Sequence, residues 1–410
     1  MQLKTITDLL NIPNYRAVEV SGKEYEHIFI ALERIENTPP VCSGCGCVHG
    51  TSVHSRSEML VEDLPMSGKR VFLLVPKRKV RCLEDGAIRV EELPWVNGRF
   101  TDRFAEHVYR LTSITTNQEA GWFLALDDEA VYRIDRRKLE ELALKKLDPV
   151  PVPKHMSVDE VAWQKWHKYV TNVVDVERKI VVWNHQNRGK SVLDKFFRKL
   201  GKEGCEKIEA VACDGAKGYL SAIKQHANNA LIVLDHFHVK KYLNDAVDTV
   251  RKEELKKARR ENDGELSAVL HCNKRFILMQ NKTTSRKLDL LQKLESLNEH
   301  VYQAMLLKEQ FVSIYKDPKT AAKALREWII AAIKSNIPAF VELGNKFFRK
   351  RHYLLNYFRC KLTTAVSEGI NNKIKRLSRM AYGYKDIHYF LLKIHQHCGL
   401  LNPRLQLKYE

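Results

Sequence analysis

The sequence predicts an α/β protein: a main domain in which three antiparallel strands lead into two parallel ones, interrupted by a long helical insertion and preceded by two small domains. Three observations predict it. Apolar runs of strand length alternate with helical patterns between His155 and Glu253. The stretch from about Asn244 to Cys360 is rich in Lys, Glu and Leu and carries no strand pattern. Near the N-terminus, Cys42, Cys45 and Cys47 form a tight cluster.

Composition sets the bounds. At 410 residues the chain has room for several domains. Lys and Arg number 69 against 50 Asp and Glu, a formal net charge of +19 spread along the whole chain. An excess distributed in this way points to a polyanion touched by several domains, nucleic acid first; a basic protein with no such partner is the alternative. No segment approaches the run of about 20 apolar residues that a membrane span needs, and MQLKTITDLLNIPNYR lacks the pattern of a signal peptide, so a cytoplasmic protein is expected. Nine cysteines, odd in number and mostly scattered, suit reduced thiols better than a disulfide framework.

Residues 1–98 read as a β-rich domain. VEVSGKEYEHIFIALERIE alternates apolar and polar residues, as a small meander does. In PPVCSGCGCVHG the turn from Cys42 to Cys45 has glycines that let backbone amides fold toward two thiolates, half of a zinc-ribbon-like tetrahedral site. Cys82, after the basic strand VFLLVPKRKVRC, offers a third thiolate. LEDGAIRVEELP then holds no Cys or His, so the fourth Zn2+ ligand falls to Cys47, His49 or His54, or the knuckle is a metal-free remnant.

Residues 99–147 turn helical. TNQEAGWFLAL, the acidic break Asp127-Asp128 and EAVYRIDRRKLEEL have the pattern of a helix-turn-helix, whose second helix would carry Tyr132, Arg133, Arg136 and Arg137 toward a DNA groove. A plain helix pair with a solvated basic face fits the same pattern. The alternating prolines of LDPVPVPKH make residues 148–155 an extended, semi-rigid linker and the main domain boundary.

After the linker, HMSVDEVAW is a strand with Asp159 at its end, and KYVTNVVDVERKIVVWNHQNR forms two antiparallel strands turning near Glu177 to Lys179. SVLDKFFRKLGKEG is an amphipathic helix closed by glycine. IEAVAC and ALIVL follow as short strands ending on Asp214 and Asp235, each succeeded by a helix. The order β-β-β-α-β-α-β-α over 156–243 is the layout of the ribonuclease H fold. It makes Asp159 and Asp214 ends of neighbouring strands, where α/β proteins place chemistry. The insertion fills 244–360, and a helical bundle serving only as a spacer is its bland reading.

Residues 361–410 return to the core. In a helix starting near Ser367, Ile370, Ile374, Leu377 and Ala381 fall on one face, and Glu368, Asn372, Lys375 and Arg379 on the other. Taken alone, an exposed face of mixed charge is ordinary. Two strand-end aspartates with a helix-borne glutamate, however, are the set that metal-assisted phosphoryl transfer requires. Two divalent ions about 3.5–4 Å apart clamp the attacking and leaving oxygens, and Mg2+ takes oxygen ligands while keeping several waters.

These blocks carry a resemblance. SVDEVAWQKWHKYVTNVVD, VACDGAKGYLSAI, LDHFHVKKYLNDAVDTVRKE and SEGINNKIKRLSRMAYGYKD resemble the successive signatures of the ISL-three family of insertion-sequence transposases. LDHFHVKK with DAVDTVRKE is the most specific part, and the likeness extends to the cysteine knuckle with EDLPMSGKRV. The resemblance implies a DDE transposase acting on the ends of its own element, with Asp159, Asp214 and Glu368 binding Mg2+ (or Mn2+) and Cys42, Cys45 and Cys82 binding Zn2+. It implies double-stranded DNA as partner, both element ends and target, a homodimer or larger assembly on that DNA, and a place in the bacterial cytoplasm with the nucleoid. Asp235 rivals Asp214. In the ribonuclease H order the second metal aspartate follows the fourth strand, so Asp235, His236 and His238 are expected to orient ligands or touch the DNA backbone, as are Asn372, Lys375 and Arg379. Capping of the next helix is the structural alternative for His238. Two departures stand out: only Cys82 remains where the family has a second cysteine pair, and Thr363-Thr364 stands where the family has Asn after Thr or Ser. An inactive DNA-binding protein of transposase origin and a structure-specific nuclease on the same fold are the alternative functions.

Overall fold

The computed structural model describes residues 3–23, 27–35, 39–48, 53–164, 168–278, 285–362 and 365–406. It divides into two compact units, residues 1–144 with 401–410, and residues 145–400.

The first unit opens with a helix, α1 (Leu3–Leu10), where the alternating pattern had suggested only strands. Strands β1 (Tyr15–Lys23), β2 (His27–Arg34), β3 (Ser55–Met66), β4 (Lys69–Arg81), β5 (Ile88–Val90), β6 (Val96–Asn97) and β7 (Phe100–Thr101) follow. They form one sheet in the order β1-β2-β4-β3-β7-β6, with β5 beside β4. β1 and β2 pair antiparallel, but β2 then lies parallel to β4, which a meander would not do. Along β4 the side chains of Val71, Leu73 and Val75 are buried while Phe72 and Leu74 are only half-buried, the period of two that a one-sided sheet imposes. These valines and leucines pack with Ile30, Leu32, Val61 and the Ile6 and Leu10 face of α1. Nearby, the buried Glu91 carboxylate accepts from Arg34 Nη2 at 2.5 Å, from Arg78 Nε at 2.9 Å and from Arg78 Nη2 at 2.8 Å.

Helices α2 (Asp102–Thr112), α3 (Asn117–Leu124) and α4 (Asp128–Lys146) complete this unit, together with a short C-terminal helix, Pro403–Gln406. Thr101 caps α2, and Thr116 and Glu119 cap α3 reciprocally. Ala125, at φ 55°, ends α3 in the left-handed region and makes the turn into α4 tight. Phe104, Val108, Ala120, Leu124, Val131 and Ile134 give the three helices a common core.

In the second unit, β8 (His155–Gln164), β9 (Lys168–Asp175), β10 (Ile180–Gln186), α5 (Lys190–Glu206), β11 (Ala210–Cys213), α6 (Lys217–His226), β12 (Leu231–Leu234) and α7 (His236–Arg260) occur in the expected order. The sheet runs β10-β9-β8-β11-β12, antiparallel up to β8 and parallel beyond it, a ribonuclease H-like layout. β11 is buried along its whole length, as a parallel strand covered on both faces must be. The β9–β10 turn lies where expected: the Asp175 carboxylate accepts the Glu177 and Arg178 amides, and Lys179 takes φ 58°.

Two expectations need correction here. Gly201, at φ 69°, kinks α5 without closing it, and the helix runs on to Glu206. Asp159 is not at the end of its strand. β8 pairs with β11 only over His155, Met156 and Ser157, while its antiparallel pairing with β9 continues to Gln164. The aspartate therefore sits mid-strand, where the parallel neighbour stops.

The insertion comprises the rest of α7, then α8 (Gly264–Cys272), α9 (Lys274–Leu278), α10 (Ser285–Leu297), α11 (Glu299–Ile314), α12 (Ala321–Lys334) and α13 (Pro338–Cys360). Residue 244, its expected start, lies inside α7 with no break. A single core runs from Leu234 at the end of β12 through Val247, Phe311, Trp328 and Phe347. α13 returns to the sheet, and Asn356 Nδ2 donates to the Ile232 carbonyl of β12 at 2.8 Å. β12 is the edge strand, whose unpaired backbone would otherwise invite another chain. The insertion thus covers an edge; it is more than a spacer. Finally come α14 (Ala365–Met380), α15 (Ile387–Cys398) and α16 (Pro403–Gln406). Ile370, Ile374 and Leu377 of α14 pack with Phe390 and Ile394 of α15 against Val161, Val170, Val174 and Val181. Thr363-Thr364 lies outside the described residues.

Candidate active site

Strand register lines up the acids. Ala212 stands opposite Ser157, so two residues further on Asp214 is level with Asp159. On the other side Cys213 stands opposite Leu234, which puts Asp235 level with Asp214. Three aspartates thus stand in a row across three neighbouring strands, where the parallel pairing ends.

Their surroundings differ. Burial raises the Asp159 carboxyl above the usual carboxylate range, with Asp235 and Asp214 adding to the rise and the Glu160 amide and His238 opposing it. One Asp159 oxygen accepts Asn371 Nδ2 at 2.7 Å. Asp214 accepts the Ala216 amide at 2.7 Å, and its carbonyl receives the Tyr242 hydroxyl at 3.3 Å. Next to it Gly215 has φ 77°, and a Cβ there would lie 2.3 Å from Leu234 Cδ2, so only glycine fits. Its carbonyl accepts Lys350 Nζ at 2.6 Å, a reach from α13 in the insertion. Burial lowers the Lys350 ammonium and Asp214 draws it back up. Lys346, one turn earlier, sits 3.2 Å from the centroid of the Tyr242 ring.

Asp235 is committed to protein partners. It is 3% exposed; one oxygen caps α7 through the Phe237 amide at 3.1 Å, and the other meets His238 Nδ1 at 2.6 Å. The Asp235 hydrogen bond raises the His238 imidazole above its ordinary value, helped by Asp159 and Asp214. Capping is therefore done by the aspartate, and His238 faces the acids. His236 does not share that role. Its ring lies 4.4 Å from Tyr315 and 5.9 Å from Tyr357, centroid to centroid, and burial lowers it to about 4. The ring, half-buried, packs against the insertion.

α14 is anchored beside Asp159 by a hydrogen bond between the Ser157 and Ser367 hydroxyls. Ser367, Ile370, Asn371 and Ile374 form its buried face, and Glu368, Asn372, Lys375 and Arg379 are exposed. Ala381, assigned to the apolar face, lies just past the helix end. Glu368 is thus one residue from the serine contact, yet among the described residues the carboxylates of Asp159, Asp214 and Glu368 do not all come within 4.8 Å of one another. Asn371 escaped the sequence reading, which took its neighbour Asn372. The signal was there: Asn371 lies four residues after Ser367 and between two buried isoleucines, and an amide on such a face needs a partner.

On α4, buried Lys138 pairs with Asp102 at 2.9 Å and buried Asp135 accepts the Thr112 hydroxyl at 2.6 Å, which ties the helix to α2. Arg133 and Arg137 point to solvent, while Arg136 bridges the Tyr132 hydroxyl at 2.8 Å and Glu140 at 2.9 Å. In the cysteine knuckle, the sulfurs of Cys42, Cys45 and Cys82 lie within 4.8 Å of one another. Cys47 gathers instead with Cys45 and Glu84; His54 joins no such group among the described residues, and His49 lies outside them.

Aspartates aligned on a ribonuclease H-like sheet, beside a helix that carries a glutamate, place this chain in the DDE class. Its residues 156–394 match the ISL3-type DDE family model described as transposase, and the chain belongs to that family. Residues 38–85 match the zinc-finger of transposase IS204/IS1001/IS1096/IS1165. Similar proteins include the transposase for insertion sequence element IS1001 of Bordetella parapertussis, 30% identical over 86% of this chain and 87% of that one. The transposase for insertion sequence element IS1557 of Mycobacterium tuberculosis is 27% identical over 86% and 85%. A DDE family implies a divalent metal. The donors suit one: Asp159 and Asp214 present hard oxygens, and the Asp159 carboxyl, raised by burial and further by Asp235 and Asp214, is one whose charged form a dication would favour. Among the described residues, no helix is long and apolar enough to cross a membrane.

Proposed function

We propose that this protein binds the terminal inverted repeats of its insertion sequence and catalyses Mg2+-dependent DNA cleavage and strand transfer. The observation that carries the reading is the alignment of Asp159 with Asp214 across β8 and β11 in a chain of this family. Asp159, Asp214 and Glu368 would hold Mg2+ (or Mn2+), which supplies charge stabilisation to an in-line phosphoryl displacement. Exposure favours Asp214 as the second ligand, since Asp235 is buried and caps α7 whereas Asp214, like Asp159, is half-buried. His238, whose imidazole the Asp235 hydrogen bond raises above its ordinary value, stands beside the acids, and Lys375 and Arg379 extend positive charge along α14 toward a phosphate backbone. Helices α3 and α4 serve as a helix-turn-helix, with exposed Arg133 and Arg137 on the DNA side. Cys42, Cys45 and Cys82 hold Zn2+. Transposition joins two ends, so a homodimer or larger assembly forms on DNA, in the bacterial cytoplasm with the nucleoid.

The test is incubation of the purified chain with a labelled DNA fragment carrying an element end, with and without Mg2+. Cleavage at the element boundary that requires the ion is expected. Specific binding without cleavage would favour the inactive DNA-binding protein, and cleavage directed by DNA structure alone would favour the nuclease.

Two further results are expected. Asn371 acts as a positioning residue, fixing the Asp159 carboxylate. Asn371→Ala should raise the Mg2+ concentration for half-maximal cleavage roughly 10-fold, as loss of a ligand's hydrogen-bond partner does. The melting temperature should stay close to wild type. A fall in melting temperature with unchanged Mg2+ dependence would make Asn371 merely structural. Binding to the element end should also fall steeply with salt. A footprint of 6–10 phosphates predicts a loss of about 1,000-fold or more between 50 and 200 mM salt. A flat dependence measured by gel shift would contradict a broad basic footprint.

A further inference from the structure

The zinc-finger region contains two copies of one turn, forty positions apart in sequence. In the first, the Cys42 amide donates to the Cys47 carbonyl at 2.9 Å and the Gly46 amide to the Cys42 carbonyl at 2.8 Å. In the second, the Cys82 amide donates to the Ala87 carbonyl at 2.8 Å and the Gly86 amide to the Cys82 carbonyl at 2.9 Å. The two glycines have φ 71° and φ 70°. The flanking pairs match as well, Val41 opposite Val48 and Arg81 opposite Ile88. Each knuckle is thus a hairpin whose first ligand position is a cysteine followed, three residues later, by a second ligand position and then a left-handed glycine. In the first knuckle that second position is Cys45. In the second it is Asp85.

We infer that Asp85 is the fourth ligand of a zinc site made by Cys42, Cys45, Cys82 and Asp85, three sulfurs and one carboxylate oxygen. The inference rests on the zinc reading of this domain and is independent of the catalytic one. Zinc takes Asp or Glu oxygen as well as thiolate sulfur among its four ligands. The three sulfurs are already gathered within 4.8 Å, with Cys42 and Cys82 buried, while the Asp85 carboxylate stands outside that group and would turn in to complete it. The Asp85 carboxylate accepts the Ala87 amide at 3.0 Å and pairs with Arg89. A carboxylate has about four acceptor sites, so these partners leave room for a metal and would hold the ligating oxygen in place. The Arg89 stem crosses the first knuckle over Gly44, where a Cβ would lie 2.4 Å from Arg89 Cδ. Three thiolates and one carboxylate around a dication carry a double negative charge, and the guanidinium beside them halves it. Cys47, named in the sequence reading as a fourth ligand, has no counterpart in the second hairpin: Ala87 stands there.

The full-length chain tests this. Zinc content by elemental mass spectrometry and affinity by competition with a chromophoric chelator should give one zinc per wild-type chain. Asp85→Ala should weaken zinc at least about 10-fold, because losing a ligand costs no less than losing its hydrogen-bond partner. Cys47→Ser should leave the affinity unchanged. Asp85→Cys guards against a fold lost in the alanine variant. Loaded with Co2+, it should show about one third more thiolate-to-metal charge-transfer absorption than Co2+-loaded wild type, in proportion to four sulfurs against three. Asp85 is overturned as a ligand if Asp85→Ala keeps wild-type affinity, if Asp85→Cys leaves the charge-transfer band unchanged, or if Cys47→Ser takes the loss instead. A wild-type chain that binds no zinc overturns the zinc reading as a whole and leaves the Asp85–Arg89 pair as a metal-free clasp.

Discussion

Asp214→Asn is expected to abolish cleavage of an element end while leaving binding to the same fragment nearly unchanged. Asparagine keeps the shape of the side chain and the acceptor for the Ala216 amide, but not the charge. A ligand that helps a dication stabilise the transferring phosphoryl group is worth several kcal/mol of the barrier. At about 1.4 kcal/mol per factor of ten, that is a loss of roughly 1,000-fold or more. Asp235→Asn should behave differently. Its oxygen can still cap α7, so the main change is at His238, which loses the partner that keeps it basic. A fall of about 10-fold is expected there, the size of a lost supporting contact. Cleavage of end-labelled DNA, read beside a gel shift on the same preparations, separates the two. Normal cutting by Asp214→Asn with none by Asp235→Asn would move the second metal position to Asp235.

The second large effect concerns stability. Glu91 is 5% exposed and holds two arginines, Arg34 and Arg78, and also accepts the Arg78 backbone amide at 2.8 Å. Glu91→Ala would leave two guanidinium groups and an amide in a buried setting with no carboxylate. Breaking a buried pair from one side costs about 3–5 kcal/mol, since the remaining charge stays desolvated. Urea unfolding of the variant should show a stability lowered by that amount, read as a lower midpoint at an unchanged slope. A change below about 1 kcal/mol would mean that the arginines reach water once the carboxylate is gone.

Much of the fold could be read from local pattern. AVAC and LIVL are short, apolar and β-branched, and each stops at an aspartate, the pattern of buried parallel strands. The α14 faces separated by helical spacing, and Ile370, Ile374 and Leu377 are buried while Glu368, Lys375 and Arg379 are exposed. Errors arose where local pattern is silent about partners. Alternation marks β2 and β4 as strands but does not say that they run side by side and parallel. The histidines of DHFH look alike in sequence, yet a step of two helical positions separates a ring on Asp235 from one among Tyr315 and Tyr357. No Cys or His closely follows Cys82 to mark a fourth position, and the equivalence of Asp85 with Cys45 lies only in the backbone hydrogen bonds of the two knuckles.

The sequence by itself determined the element order, the acids at the ends of β11 and β12, and the faces of α14, because each depends on the periodicity of a few neighbouring residues. Only the tertiary structure decided that Asp159, Asp214 and Asp235 stand level, that Asn371 holds Asp159, that Lys350 crosses from the insertion to Gly215, and that Asp85 mirrors Cys45. Those relations join residues up to 212 positions apart. They follow from strand register and from packing across the core, and no local pattern records either one.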